Sequence, residues 1–292
     1  MSDAANSPLI SPQALHAALN DPHLLIIDAT VELPAPRFDG DYQVRSGRDG
    51  WLQAHIPGAL HADLYGALAD QQASFSFALP GIAQLADGLA QLGISPQRRV
   101  VIYDRNDGFW AARLWWMLRS VGLYSQVLDG GFRAWQRAGL PEQSGALASQ
   151  PSQWLPAFVE GFWIDRAGVE AVLAGERSAT LVCALSAGLF EGSAVTRYAR
   201  RGHIPGSLNV PARSVFDDHG RYLEPKALRE VLAPLLQATA PVVLYCGGGI
   251  SAAAQALALT LVGRCDVFIY DGSLQEWAAD PRLPMTTGAA PA

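Results

Sequence analysis

Cys246 opens a glycine-rich run whose residue types suit nucleophilic chemistry. The apolar residues 242–245 come directly before it and the alanine-rich residues 252–262 follow, which predicts a buried strand, a tight loop and a helix. Backbone N–H groups in such a loop and at a helix N-terminus stabilise negative charge, so the thiol is expected to ionise readily. We therefore predict that Cys246 is the catalytic residue and that the loop amides bind an anion; these amides belong to Gly247, Gly248, Gly249, Ile250 and Ser251.

A packing role is the alternative for Cys246, because free cysteines are among the most frequently buried residues. A packing cysteine, however, has no need of three consecutive glycines behind it. Glycines let the backbone curl around the sulfur without Cβ clashes. The glycine run therefore favours the nucleophile.

The chain contains an internal duplication. The run that begins at His55 (His-Ile-Pro-Gly-Ala) recurs at His203 as His-Ile-Pro-Gly-Ser. Asp104 precedes Asp129 by 25 residues, and Cys246 precedes Asp271 by the same 25 residues. Matched motifs in the same order and at the same separations indicate two copies of one structural unit.

The two copies differ at the position where chemistry is expected. Asp104 stands in the first copy where Cys246 stands in the second. A carboxylate cannot replace a soft sulfur nucleophile, so we predict a catalytically silent domain over residues 1–141 and a catalytic domain over residues 158–292. Residues 142–157, rich in Ser, Gln and Pro, are the predicted linker.

Short apolar strands alternate with helices in both copies. This order predicts an α/β fold of two domains, each a mainly parallel sheet flanked by helices on both faces. Catalytic loops of such folds lie at the carboxyl ends of strands, which is the position of Cys246.

Composition excludes several classes of function. The 292 residues carry a net charge of −6 and are 50% hydrophobic, so we expect neither nucleic acid nor a membrane as a partner. No metal-ligand spacing and no nucleotide-binding glycine motif are present, so no cofactor and no metal are predicted. The three cysteines and the absence of a secretory signal over residues 1–9 favour a reducing, cytoplasmic location.

These motifs together resemble the tandem-domain rhodanese sulfurtransferases, which include thiosulfate sulfurtransferase and 3-mercaptopyruvate sulfurtransferase. The resemblance extends over nearly the whole chain. It implies that Cys246 takes a sulfane sulfur from a small anionic donor as a persulfide. The persulfide then passes the sulfur to cyanide, a thiol or a thioredoxin-like acceptor.

The resemblance also bears on the donor. Thiosulfate enzymes carry Arg-Lys after the cysteine, whereas Gly247 and Gly248 follow here, which slightly favours the mercaptopyruvate type. Two family arginines that hold the donor's charge are replaced by Leu185 and Leu189. Arg197 is the best remaining match to a substrate-binding arginine, with its neighbours Arg200 and Arg201 as substitutes. The donor is therefore expected to be unusual, weakly bound, or larger and more apolar.

Two further residues have two interpretations each. His55 is a candidate substrate-binding residue by the resemblance to the mercaptopyruvate type, but its motif recurs at His203, which favours a local structural role for both. Cys183 ends a predicted strand beside the Cys246 loop. A packing role is favoured for Cys183, and a disulfide with Cys246 is the alternative.

Two other functions stay open at this point. Protein phosphatases also use a cysteine in an amide-lined loop, but they require an arginine where this chain has Ala252. The second alternative is a non-catalytic or redox-regulatory rhodanese module whose substrate site is degenerate. The intact Cys246 loop argues against it.

Overall fold

A computed structural model describes residues 7–289, which form two copies of one α/β unit. The first copy runs through β1 (Leu9–Ile10), α1 (Pro12–Ala17), β2 (Leu24–Asp28), β3 (Val31–Glu32), β4 (Arg45–Ser46), α2 (Arg48–Gln53), β5 (Leu60–His61), α3 (Ile82–Gln91), β6 (Arg99–Tyr103), α4 (Phe109–Arg119), β7 (Ser125–Leu128) and α5 (Gly131–Arg137).

The second copy repeats this order in outline, without a counterpart of the β3–β4 ribbon among its described residues. It contains β8 (Trp163–Ile164), α6 (Arg166–Leu173), β9 (Thr180–Cys183), α7 (Ala187–Glu191), β10 (Leu208–Asn209), a 3-10 turn (Ala212–Val215), α8 (Pro225–Val231), α9 (Ala233–Gln237), β11 (Val242–Tyr245), α10 (Ile250–Leu261), β12 (Val267–Tyr270) and α11 (Ser273–Trp277).

The two sheets have the same topology, which confirms the predicted fold class. The first sheet has the strand order β1-β7-β6-β2-β5 and the second β8-β12-β11-β9-β10, so each strand has a counterpart in the other copy. Every pairing in these two sheets is parallel. Strands β6 and β11 are the central, equivalent strands, and Asp104 and Cys246 follow them directly.

One predicted helix is wrong in extent. The pattern of residues 226–236 by itself predicts one continuous helix, whereas in the structure α8 ends at Val231 and α9 begins at Ala233. Pro234 explains the break, because proline has no N–H for the helical ladder and fits only in the first turn of a helix.

Helices α4 and α10 pack against each other between the two sheets. Both are buried along most of their length, and a single apolar cluster contains residues of both helices and of the inner faces of both sheets. Five alanines make α10 slim enough for close approach: Ala252, Ala253, Ala254, Ala256 and Ala258. The two copies therefore share one core instead of meeting at a polar boundary.

The repeated His-Ile-Pro-Gly motif fixes a turn on the outer face of each sheet. Tyr103 accepts a hydrogen bond from the Ile56 amide at 3.4 Å, and Tyr245 accepts one from the Ile204 amide at 3.1 Å. Because these bonds have equivalent positions in both copies, the motif has a structural role.

A second repeated feature joins the two copies. Asp129 accepts a hydrogen bond from the Tyr222 amide at 2.9 Å, and its counterpart Asp271 accepts one from the Leu79 amide at 2.6 Å. Each aspartate thus accepts a hydrogen bond from an amide of the opposite domain. That amide lies three residues before helix α8 in the second domain and three residues before its counterpart α3 in the first. The duplication therefore produces a reciprocal pair of interdomain contacts.

Arg113 strengthens one of these contacts. Its side chain is 1% exposed, and Nη2 lies 2.6 Å from Oδ1 of Asp271 and donates to the Phe77 carbonyl at 2.8 Å. Its guanidinium also lies 4.7 Å from the centre of the Trp163 ring. A buried cation needs such partners, since an unpaired charge in the interior is strongly destabilising.

Residues 142–157, the predicted linker, contain no helix or strand in this described segment. They run along the first domain: Gln143 pairs with His55 through both backbone groups, and the Ser152 amide donates to the Ala90 carbonyl. The precise domain limits stay a prediction.

The Arg113–Asp271 ion pair predicts a stability difference between two interdomain aspartates. Asp271→Ala leaves Arg113 buried and unpaired, so we expect the free energy of unfolding to fall by about 3–5 kcal/mol. Asp107→Ala is the matched control, because it breaks the solvent-exposed ion pair with Arg213 (2.9 Å); it should cost less than about 1 kcal/mol. Urea unfolding curves measure both, and equal losses would contradict this account.

Candidate active site

The Cys246 loop lies at the carboxyl end of the central strand β11. The loop spans four residues, and α10 begins at Ile250 with Gly249 as its N-cap at φ +73°. This left-handed backbone conformation is accessible to glycine at little cost, which explains the third glycine of the run. Cys246 is 2% exposed and lines the cleft between the two domains.

Ser273 holds both ends of this loop. Its hydroxyl oxygen accepts hydrogen bonds from the amides of Cys246 and Gly249, each at 3.1 Å, and the hydroxyl donates to the Tyr270 carbonyl at 2.7 Å. Ser273 has φ +47°, a strained conformation for a residue with a side chain. Its three hydrogen bonds stabilise that conformation and fix the loop around the sulfur.

The remaining amides of the loop and helix start find no acceptor in the described part of the chain. Among residues 7–289, no hydrogen bond is accepted from the amides of Gly247, Gly248, Ile250 and Ser251. The helix α10 cannot supply one, because the first amides of a helix have no intrahelical acceptor. These free donors at the end of a helix are suited to an anion beside Cys246.

In the equivalent loop of the first domain, the carboxylate of Asp104 is the anion that the amides bind. Asp104 is 1% exposed, and its carboxylate accepts hydrogen bonds from the amides of Asn106 (2.9 Å), Gly108 (3.0 Å) and Ala111 (2.9 Å). Burial raises the pKa of Asp104, and these three bonds act in the opposite direction. The first copy therefore supplies an acceptor for amides of its loop from its own Asp104 side chain, whereas four amides of the second loop have no acceptor among the described residues.

Tyr198 is a site residue that the sequence analysis missed. Its side chain lies so close to Gly247 that a Cβ at this position would overlap the phenolic oxygen. Burial, followed by the negative charge of Cys246, raises the pKa of Tyr198 well above its usual value, so its hydroxyl stays protonated. Tyr198 follows Arg197 directly, but no local pattern in the sequence indicates that it faces the Cys246 loop.

The cleft has a volume of about 770 Å³ and is lined by both domains. The second domain contributes the Cys246 loop with Leu185, Leu189, Arg197, Tyr198 and Gln275. The first domain contributes the apolar and aromatic side chains of Leu33, Pro34, Phe77, Phe109 and Trp110. It also contributes the polar side chains of Asn106, Asp107 and Arg133. The silent domain therefore forms one wall of the site.

Of the three arginines singled out in the sequence, Arg197 lines the cleft. Its Nη2 donates to the Pro34 carbonyl at 3.0 Å, while its buried Nη1 has no partner among the described residues. The other two have structural partners. Arg200 donates to four backbone carbonyls, and Arg201 forms a two-pronged ion pair with Asp39 of the first domain. They are therefore not substitutes for a substrate-binding arginine.

Leu185 and Leu189 both line the Cys246 cleft. The expectation that they replace two arginines of related enzymes stays a prediction. Neither side chain can form a hydrogen bond with an anion, so this part of the cleft wall is apolar.

The structure does not bring His55 to the cleft. Its side chain is fully buried in the first domain, with Nδ1 2.7 Å from the Trp51 carbonyl and the ring stacked on Trp51. His203 repeats this arrangement: its Nδ1 lies 2.8 Å from the Phe190 carbonyl and its ring stacks on Phe190. These contacts favour the structural interpretation for both histidines.

Cys183 lies beside the catalytic loop but on the other face of the sheet. It pairs in register with Tyr245 and packs in the same apolar cluster as that residue, whereas Cys246 belongs to the interdomain cluster. Successive residues of a strand point to opposite faces, so Cys183 and Cys246 are directed apart. Burial raises the pKa of Cys183 to about 12. Both observations favour the packing role over a disulfide with Cys246.

Within residues 7–289, no group of three or more His, Cys, Asp or Glu side chains is arranged to hold a metal ion. In the same part of the chain, no helix has the length and apolar character needed to cross a membrane.

Comparison with known proteins identifies the family. The model of the rhodanese-like domain matches residues 11–138 and 185–280. The probable 3-mercaptopyruvate sulfurtransferase of Pseudomonas aeruginosa is 33% identical, over 97% of this chain and 99% of the relative. The 3-mercaptopyruvate sulfurtransferase of Homo sapiens is 32% identical, over 92% of this chain and 91% of the human protein.

Solved structures agree. SseA from Escherichia coli, a 3-mercaptopyruvate sulfotransferase with the rhodanese fold, has a TM-score of 0.77 at 29% identity and covers 91% of this chain and 98% of its own. Tum1 from Saccharomyces cerevisiae has a TM-score of 0.81 at 25% identity and covers 96% and 97%. The chain therefore belongs to the rhodanese-like family. With curated sulfurtransferases as relatives over nearly its full length, it is a sulfurtransferase.

The close approach of Tyr198 predicts that Gly247 tolerates no side chain. Gly247→Ala should reduce stability by about 1–3 kcal/mol, because the added methyl group displaces either the loop or the tyrosine. Gly50→Ala is the control, since a Cβ there meets Arg105 at an ordinary 3.7 Å and lies within a helix; it should be neutral or stabilising.

Unfolding curves for Gly247→Ala, Tyr198→Ala and the double variant test the cause. If the overlap with Tyr198 is the source of the loss, Gly247→Ala should cost less in the Tyr198→Ala background than in the natural chain. If the stability losses of the two single variants add up to that of the double variant, a contact other than Tyr198 causes the loss in Gly247→Ala.

Proposed function

We propose that Cys246 carries the sulfane sulfur as a persulfide between a small anionic donor and a thiol or cyanide acceptor. The observation that carries this proposal is the contrast between the two equivalent loops. The carboxylate of Asp104 accepts hydrogen bonds from three amides of the first loop and its helix. In the second loop the free amides of Gly247, Gly248, Ile250 and Ser251 surround a thiol that lines an open cleft.

In the first step the Cys246 thiolate attacks the outermost sulfur of the donor. A new S–S bond forms, and the bond between that sulfur and the rest of the donor breaks. Its electron pair leaves with the donor fragment, as sulfite from thiosulfate or as an enolate that takes a proton to become pyruvate from mercaptopyruvate. The result is an anionic persulfide on Cys246.

The loop amides stabilise both charged states of the nucleophile. The terminal sulfur of a persulfide carries negative charge, and preformed N–H donors in a water-poor site stabilise such charge without reorganisation. Ser273 keeps the Cys246 and Gly249 amides in place, so the loop changes little between the thiolate and the persulfide.

In the second step an acceptor nucleophile attacks the terminal sulfur of the persulfide. The S–S bond to Cys246 breaks, its electron pair returns to Cys246 as the thiolate, and the acceptor leaves with the sulfur. Cyanide, a low-molecular-weight thiol and a thioredoxin-like protein are the proposed acceptors.

We propose that mercaptopyruvate is used in preference to thiosulfate. Thiosulfate is a dianion, and the positions after Cys246 that would hold cations are Gly247 and Gly248. Arg197, with its unpartnered Nη1, is the proposed contact for a single carboxylate.

A reducing compartment such as the cytoplasm is the proposed location. The three cysteines, Cys183, Cys246 and Cys265, are all free thiols, which is the usual state in a reducing environment. A free Cys246 is also a requirement of the mechanism.

Mass spectrometry tests for the proposed persulfide on Cys246. After incubation with mercaptopyruvate or thiosulfate and removal of the donor, intact-mass spectrometry should show a gain of one sulfur atom, about 32 Da. The gain should disappear on treatment with cyanide and should be absent from Cys246→Ser. Cys183→Ser and Cys265→Ser serve as matched controls and should load like the natural chain. Loading that persists in Cys246→Ser would refute the assignment.

Leu189 gives a prediction about the donor. Leu189→Arg places a cation in the cleft wall near Cys246, so we expect the apparent KM for mercaptopyruvate to fall several-fold. Leu155→Arg is the matched control, because Leu155 lies in the linker and is 85% exposed. An unchanged or higher KM in Leu189→Arg would show that this residue does not face the bound donor.

A further inference from the structure

Sulfur transfer from mercaptopyruvate requires a proton in addition to the nucleophile. When the bond between sulfur and carbon breaks, its electron pair stays on the carbon as an enolate, and pyruvate forms only when that carbon takes a proton. A thiosulfonate, in contrast, releases a sulfinate, which is stable as an anion. A side chain that supplies a proton in the transition state typically contributes about 10²–10⁴-fold to the rate of such a step. The cleft therefore has a use for an acid with one class of donor only.

Few side chains that line the cleft can supply that proton. Arginine holds its proton too firmly, with a pKa above about 12. Asp107 is ion-paired at 2.9 Å and Glu32 lies opposite an arginine in the ribbon β3–β4, so both are stabilised as carboxylates without a proton. Ser251 offers an aliphatic hydroxyl, which is a much weaker acid than a phenol. Among the described residues around this cleft, Tyr198 supplies the one phenol.

The hydroxyl of Tyr198 lies beside the Cys246 loop and is free to donate. It fills the space next to Gly247 into which a Cβ would project, one residue beyond Cys246. Within residues 7–289 this hydroxyl has no hydrogen-bond partner, and its oxygen is not sealed inside the protein. In the chain Tyr198 follows Arg197, the proposed contact for the donor carboxylate. Tyr198 is thus adjacent to both ends of a donor held between Arg197 and Cys246.

Contacts with the first domain hold Tyr198 in this position. Its amide donates to Oγ1 of Thr196 at 3.2 Å. The Thr196 amide donates to Asp39 of the first domain at 2.9 Å, and the Thr196 carbonyl accepts a hydrogen bond from the Gly40 amide at 2.9 Å. The tyrosine ring packs against an apolar cluster of the second domain. The hydroxyl is therefore in position before any donor binds, as an efficient general acid must be.

The acidity of Tyr198 suits a base stronger than a thiolate. Burial raises the pKa of Tyr198, and the negative charge of Cys246 acts in the same direction. A tyrosine hydroxyl is already a weaker acid than a thiol, with ordinary pKa values of about 10 and about 8.5. Tyr198 therefore leaves the Cys246 thiolate unprotonated, whereas the carbon of an enolate is basic enough to take its proton.

On the basis of the proposed persulfide mechanism, we propose that Tyr198 is a catalytic residue that protonates the donor carbon as its bond to sulfur breaks. This role selects a class of substrate, namely donors in which the transferred sulfur is bonded to a carbon next to a carbonyl group. Donors that leave as a stable anion bypass Tyr198.

Protons and electrons balance within the site. The Cys246 thiolate attacks the sulfur of the donor's thiol group, the S–S bond forms, and the electron pair of the S–C bond passes to the carbon. Tyr198 gives its proton to that carbon, which completes the methyl group of pyruvate. The new persulfide, which forms with the donor's thiol proton, returns a proton to the Tyr198 oxygen and becomes anionic. No further reactant is needed.

Loading from two donors tests the proposal. The protein is mixed with mercaptopyruvate or with the methanethiosulfonate anion, and the gain of one sulfur on Cys246 is followed by intact mass in single-turnover experiments. Tyr198→Phe removes the proton and keeps the ring that packs against Gly247. We expect its loading rate from mercaptopyruvate to fall about 100-fold, whereas its loading rate from methanethiosulfonate should stay within about twofold of the natural chain.

Tyr65→Phe is the matched control, because Tyr65 lines a neighbouring cavity of about 410 Å³ instead of the Cys246 cleft. This variant should load from both donors like the natural chain. In D₂O, loading of the natural chain from mercaptopyruvate should be slower, since a proton moves in that step, and loading from methanethiosulfonate should be unchanged. A tyrosine with a purely structural role would not produce this difference between the donors.

Equal losses with both donors in Tyr198→Phe would show that the hydroxyl supports the loop and not the proton transfer. An unchanged rate with mercaptopyruvate would show that water supplies the proton. Either result excludes Tyr198 as the acid and leaves the sulfurtransferase in place. If neither donor adds sulfur to Cys246 in the natural chain, the proposed function itself fails. Loading from methanethiosulfonate alone would remove the enolate from the reaction, and with it the role of Tyr198.

Discussion

The amides at the carboxyl end of the central strand are the constraint around which both halves of the molecule are built. A strand that turns sharply into a helix leaves several N–H groups without acceptors, and these groups require an anion or water. Asp104 supplies the anion in the first half, from within the chain. In the second half Cys246 occupies the same place, and the proposed mechanism uses the open amides to stabilise the charge on its sulfur. In that proposal, equivalent loops have a structural role in one copy and a catalytic role in the other.

The first half is nevertheless part of the candidate active site. Helices α4 and α10 share one apolar core, and the reciprocal bonds of Asp129 and Asp271 hold each domain to the other. Arg113 of α4 lies directly behind Gly249, so the first domain also supports the catalytic loop. Because the cleft is bounded by both domains, its width and polarity depend on this shared core. The duplication therefore provides the second wall of the cleft as well as stability.

The wall itself differs from the charged site expected for small dianionic donors. Leu185 and Leu189 make it apolar, while Arg197 is the cation with a free buried donor, since Arg200 and Arg201 are engaged in structural contacts. In the proposed mechanism the chemistry depends on the Cys246 loop, and the choice of substrate depends on these walls.

The sequence by itself determined the duplication, the parallel α/β fold, the longer strands and most of the helices, and it singled out Cys246 as the candidate nucleophile. These features are local: hydrophobic periodicity, glycine runs and repeated spacings are visible in adjacent residues. It also contained Pro234, which explains why residues 226–236 form two helices, α8 and α9, instead of one. Only the tertiary structure decided that Arg197 keeps a buried Nη1 without a partner among the described residues and that His55 is buried away from the cleft. It also decided that Tyr198 packs against Gly247 and that Ser273 accepts a hydrogen bond from the Cys246 amide. Those properties depend on contacts between segments far apart in the chain, and no local pattern encodes which partner a side chain will meet when the two halves pack together.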